Sequence, residues 1–118
     1  MKKVKRTVIV VFLVIIILLT GLSLYSYFRI GKSAPVTYVR DLPGSIMATT
    51  IPPFGIFIEQ KYENEGDGKG SILAHERIHW LQYQERGLWG FHKTYLFGWI
   101  QHGRLYNELE YDARRRSR

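Results

Sequence analysis

The sequence predicts an α+β protein, an N-terminal membrane-spanning helix followed by a small domain of short strands and about three helices. Three observations carry this. Thr7 to Leu24 is an uncharged apolar run of 18 residues, long enough to be read as a bilayer-crossing helix. Val36 to Arg40 and Phe54 to Tyr62 carry the alternation of strands. From Ser71 onward the apolar residues recur at helical spacing.

The first element starts behind Lys2, Lys3, Lys5 and Arg6 and ends in Tyr25, Tyr27, Phe28 and Arg29. Aromatic rings followed by a cation suit a membrane interface, whereas a cleaved signal would have a shorter apolar run and a small-residue cleavage site. We therefore expect a basic segment over 1–6, an uncleaved anchor over 7–28 and a linker over 29–35. The excess of cations before the span places the N-terminus in the cytoplasm and the remainder outside it. With no cysteine in 118 residues, neither a disulfide nor a thiolate is available to the exported part, so a metal or the membrane would help so small a domain.

Val36 to Arg40 reads as a brief strand. Phe54 to Tyr62 reads as a second one, placed at a sheet edge because Pro52-Pro53 precedes it. "ENEGDGKG" is a loop by composition. A helix follows over Ser71 to Arg86, capped by Ser71 or Asp67 and ended by Gly87. Ile72, His75, His79, Gln82 or Tyr83, and Arg86 share its stripe. Leu88 to Ile100 is apolar nearly all round and, at about 20 Å, too short to span a bilayer; we expect it packed inward on one side and facing lipid on the other. "RLYNELEYDARRR" forms the third helix, and 114–118 a solvated basic tail.

The net charge of +7 lies largely in the two ends, MKKVKR and ARRRSR. No basic stripe is interleaved with aromatics, so nucleic acid is not an expected partner. Membrane lipid is.

The chemistry concentrates in His75-Glu76-Arg77-Ile78-His79. Residues four apart share a helix face, so both imidazoles can address one ion, while Glu76 leans over the same ion towards a water. Zinc would make that water acidic and Glu76 would take its proton. A hydrolytic zinc has three protein ligands and an open position. Candidates for the third are Glu108, Glu110 and Asp112, with His92 and His102 between.

The pairing of HExxH with a later helix bearing a glutamate resembles gluzincin-type zinc metallopeptidases. "HERIHWLQ" followed by an aromatic-rich segment and "NELEYDA" is similar, more closely, to small membrane-associated metallopeptidases with HExxHxxQ and NxxExEA-like motifs, over roughly Ile51 to Ala113. The resemblance implies a minimal zincin-like domain over 36–113, with His75 and His79 as ligands and Glu76 as the base. Read as N-x-x-E-x-[DE]-A, the second motif makes Glu110 the third ligand. Read in the thermolysin-like register, it makes Glu108 the ligand and Asp112 the partner of a histidine. The first register is preferred, because the closer relatives place the acid just before x-[DE]-A. The metzincin spacing fails, since Gln82 and Glu85 stand where a glycine and a histidine would be.

His92, Tyr106 and Tyr95 are candidates for stabilising charge in a transition state. The resemblance also implies that the strand over Phe54 to Gln60 lines the cleft and pairs with an extended peptide. The expected function is hydrolysis of a peptide or protein substrate; the alternative is a membrane-anchored binding or scaffolding module with a structural zinc.

Overall fold

The computed structural model describes residues 2–103 and 107–118, apart from the side chain of His102. Tyr106 and the His102 side chain thus lie outside the described residues. Helix α1 covers Lys2–Arg29. It is long and apolar enough to cross a membrane, and none of its apolar stretch is buried by the rest of the chain.

Three strands follow, β1 (Val36–Val39), β2 (Ala48–Ile51) and β3 (Gly55–Glu59), in the order β1-β3-β2. β1 runs parallel to β3 with Val36 opposite Ile56, and β2 runs antiparallel to β3 with Ala48 opposite Ile58. The expected edge position of the Phe54–Tyr62 strand is therefore wrong: β3 is central. Pro52 and Pro53 sit in the turn between β2 and β3, before the ladder begins, so neither removes a hydrogen bond from it. The edges belong instead to β1 and to β2, the latter a strand not expected from the sequence. Gly55 is required where β3 begins, because its φ is 128° and a Cβ would stand 2.4 Å from Pro35 O.

A 3₁₀ segment (Gln60–Glu65) leads to α2 (Ile72–His102), whose first turn is capped by Ser71 Oγ accepting from Ala74 N. Gly87, at φ 77° and ψ 172°, bends α2 into two arms, which preserves the expected stop at that glycine. Helix α3 (Glu108–Arg116) begins at Asn107, whose side chain accepts from Leu109 N.

One core cluster joins Trp80, Tyr83, Leu88, Phe91 and Leu109, with Leu22 and Ile30 packed against it. The other joins Ala48, Ile56, Ile58 and Leu73. Ala34 packs against both, so residues 29–35 are fastened to the domain rather than serving as a free linker. Trp80 Nε1 and Gln84 Nε2 also donate to the carbonyls of Lys32 and Ile30, at 2.9 and 2.7 Å. The expected basic tail is likewise built in. Arg114 to Arg116 complete α3, Ser117 is buried, and Ser117 O accepts from Gly70 N. In the second arm of α2, Leu88 and Phe91 are buried whereas Leu96 and Trp99 are exposed.

Candidate metal centre

His75 and His79 project from one face of α2, and α3 lies across that face with Glu110 pointing at both. His75 Nε2 is 3.0 Å from Glu110 Oε2, and His79 Nε2 is 3.1 Å from Glu110 Oε1. The three donor groups lie within 4.8 Å of one another. Glu108, by contrast, is exposed and pairs with Arg86 at 3.4 Å. The rotation of about 100° per residue along α3 turns it away, so of the two glutamates only Glu110 joins the histidines.

Burial alone would raise the carboxyl of Glu110. The hydrogen bond with His75 and the close positive charge of His75 and His79 outweigh that and hold it well below the usual carboxylate range. Burial works the other way on His79, disfavouring its charge. The contact with Glu110, the charge of Glu76 and the bond to Gln82 prevail and push its pKa up. Without an ion, therefore, protons and a carboxylate hold the cluster together.

The donor set fits a metal on two observations. His79 Nε2 is buried and makes no aligned hydrogen bond, although Glu110 is near. Its other nitrogen is committed: His79 Nδ1 lies 2.9 Å from Gln82 Oε1. The amide of Gln82 is fixed in turn, because its Nε2 donates to Leu109 O and Asp112 Oδ2, both at 2.9 Å. Its Oε1 must accept, so Nδ1 of His79 carries the proton, and in the neutral ring Nε2 presents a lone pair to Glu110. Each imidazole meets a different Glu110 oxygen, at 3.0 and 3.1 Å, and with one donor atom per residue the three lie within 4.8 Å of one another, so the ~3.3 Å between tetrahedral ligand atoms about 2.05 Å from zinc would need a small drawing-in of the side chains.

Asp112 is not among the three. It fixes Gln82 and is bonded by Arg115 and Arg116 at 3.1 and 3.0 Å. Burial would raise its carboxyl, but the bonds from Gln82 and the two arginines hold it below the ordinary value. Its connection to the cluster runs through Gln82 to His79, not by contact with a ring.

Glu76 lies beside the histidines and is buried. Thr50 Oγ1 is 2.6 Å from its Oε2 and 3.0 Å from its backbone carbonyl. Burial pushes the Glu76 carboxyl up, against the opposing pull of His79, Thr50 and His75. A buried carboxylate with a raised pKa is suited to accept and return a proton.

Two further side chains complete the wall. Tyr95 donates its hydroxyl to Glu110 Oε1 at 3.0 Å, and His92 Nε2 donates to Pro52 O at 3.0 Å. Both line a cavity of about 200 Å³ with Glu76, His79 and Glu110. That cavity shares Thr49, His92 and Tyr95 with an apolar groove of about 530 Å³ that reaches Leu96 and Trp99. On the other side of the cluster a groove of about 660 Å³ is lined by Met47, Ala48, His75, Glu76, Arg114 and Arg118.

Family models, curated proteins and solved structures give no match to this chain. Function is accordingly argued from the site itself.

Gln82 and Thr50 are the site residues that sequence reasoning did not assign. Gln82 had a signal, since it falls three residues after His79 and shares its helix face. Thr50 had none, because nothing in the chain marked β2 as the strand that meets α2.

Proposed function

We propose that this chain is a membrane-anchored zinc metallopeptidase, with α1 as the span, its N-terminus in the cytoplasm and the remainder outside. The observation that carries the reading is the arrival of Glu110, on α3, at the two histidines of α2 beside a buried Glu76. Two imidazoles and one carboxylate with a neighbouring carboxylate base are the donor set of a hydrolytic zinc.

His75, His79 and Glu110 would hold the ion. Zinc bound there would supply Lewis-acid polarisation of a carbonyl and lower the pKa of a water beside it. The residues do the rest. Glu76, steadied by Thr50, takes the proton of the attacking water and returns it to the leaving amine. Burial favours the protonated form, so the proton is held at Oε1 or Oε2 without full charge separation. Tyr95 keeps the Glu110 carboxylate turned towards the histidines, and Gln82 keeps His79 in the tautomer that leaves Nε2 basic. His92 and Tyr95 line the same cavity and could donate to a developing oxyanion only by releasing Pro52 O and Glu110 Oε1.

The free edge of β2 borders the cavities on either side of the cluster. An extended peptide could add to it as a further strand, replacing the role the sequence suggested for β3.

A structural role for zinc has its own support. Glu110 ties α3 to α2, and an ion at that junction would pin the helices whether or not Glu76 acts. Glu76→Gln separates the two. As a peptidase, the variant retains zinc and loses hydrolysis of a peptide library by at least about a hundredfold. Zinc-loaded wild type that hydrolyses nothing at a rate dependent on Glu76 would leave the structural role.

A further inference from the structure

We infer that the second arm of α2, residues 88–102, is seated in the headgroup layer of the bilayer that α1 crosses, and that the apolar groove beside the metal centre opens at that level. The inference rests on the reading of α1 as a membrane span.

Contacts between α1 and α2 set the depth. Along α2, Trp80 bonds to Lys32 O and Gln84 to Ile30 O. Tyr83 then meets Ser26 at 2.6 Å, and Trp89 Nε1 donates to Ser23 Oγ at 3.0 Å. As α2 advances from Trp80 to Trp89, its partners thus run from Lys32, just beyond the end of α1, to Ser23 within it. Ser23 lies six residues inside Arg29, or about 9 Å along the helix axis. That matches the ~5–10 Å at which an interfacial helix sits in the headgroup and acyl boundary.

The outward side chains of this arm are apolar and uncovered. Trp89, Leu96, Phe97, Trp99 and Ile100 are between 47% and 64% exposed. A second element reaches the same level independently: Phe54, in the turn before β3, is 52% exposed and stacks on Tyr25 of α1 at 5.8 Å. The His92 to Pro52 bond ties that turn to the arm. The exposed surface is thus continuous with the lipid-facing surface of α1, and the occupant that covers α1 covers it too. Lys93, exposed on the same arm, can extend its ammonium to the phosphates while its stem stays among the apolar groups. Because Leu96 and Trp99 also line the groove next to the metal centre, the site receives apolar segments at the membrane surface.

The absence of native cysteine permits a direct test. Single cysteines replace Phe97, Ile100, Ile17 on α1 and Glu63 in the 3₁₀ segment of the full-length protein. Each is spin-labelled in nanodiscs of phosphatidylcholine and phosphatidylglycerol, and its collisions with oxygen and with a water-soluble nickel chelate are measured. Labels at Phe97→Cys and Ile100→Cys are expected to favour oxygen over nickel several-fold more than the label at Glu63→Cys, as Ile17→Cys does. Labels at 97 and 100 that meet nickel as freely as Glu63→Cys, with Ile17→Cys in lipid, would overturn the seating alone. Exposure of Ile17→Cys to nickel would overturn the span and the seating together. Exclusion of both reagents from 97 and 100 would assign the arm to a second copy or a protein partner and overturn it as well.

Discussion

At the residue scale, protons and a metal compete for the same atoms. In the metal-free protein the raised pKa of His79 gives stability that is fully present below about 6.5 and lost as pH rises through the folded value. The raised Glu76 acts in the same sense above its ordinary 4.5. The lowered Glu110 acts in the opposite sense: its stability is present above 4.5 and lost as pH falls. The metal-free protein is therefore expected to be most stable near pH 4.5, to weaken above it as Glu76 ionises and to weaken further above about 6.5 as His79 loses its proton. Metal ligation requires neutral imidazoles, so the rise in Tm on adding zinc should grow from about pH 5.5 to about pH 7.5; thermal melts with and without zinc check this. Gln82→Met removes the acceptor that fixes His79 and is expected to weaken zinc binding by about 10- to 100-fold, measured by competition with a chelating dye. The histidine pair and Glu76 were legible in the sequence because their chemistry depends on helical spacing alone. The choice between Glu108 and Glu110 was not, because it depends on how α3 is rotated against α2.

At the element scale, α3 delivers a ligand and is packed closely on α2, burying Leu109 and Ala113. Asn107 accepts from Leu109 N and donates to Tyr95 O at 2.7 Å, so it caps α3 and ties it to the second arm of α2. Asn107→Ala should cost about 1–2 kcal/mol of stability and lower zinc affinity with it, which thermal melts and zinc titration of one preparation would report together. Gly98 allows this approach, since a Cβ there would stand 2.9 Å from Asn107 Cγ. The helices were legible from spacing and from their stops at Gly87 and Gly103. The sheet was not. β2, Ala-Thr-Thr-Ile, lacks the alternation that marks the equally short β1, and in the sequence β3 reads as an edge because Pro52-Pro53 precedes it.

At the scale of the whole molecule, the domain is fastened to the end of α1 instead of hanging from a linker. The Tyr83 hydroxyl donates to Ser26 O and shares a 2.6 Å bond with Ser26 Oγ. Tyr83→Phe leaves that buried serine short of a partner and should destabilise the joint by about 1–3 kcal/mol, seen as a lower denaturation midpoint of the full chain in detergent. The apolar run of α1 was plain from composition; its contact with the core was not, because Leu22, Ser23 and Ser26 look like any other residues of a span. The central claim is that α2 and α3 come together around a metal held by His75, His79 and Glu110. Its most direct test is the zinc content of the purified full-length protein and three variants. We expect about one zinc per chain in wild type, retained in Glu108→Gln and lost in His79→Ala and Glu110→Gln. Wild type without stoichiometric metal, or Glu110→Gln that keeps it while Glu108→Gln does not, would contradict the account.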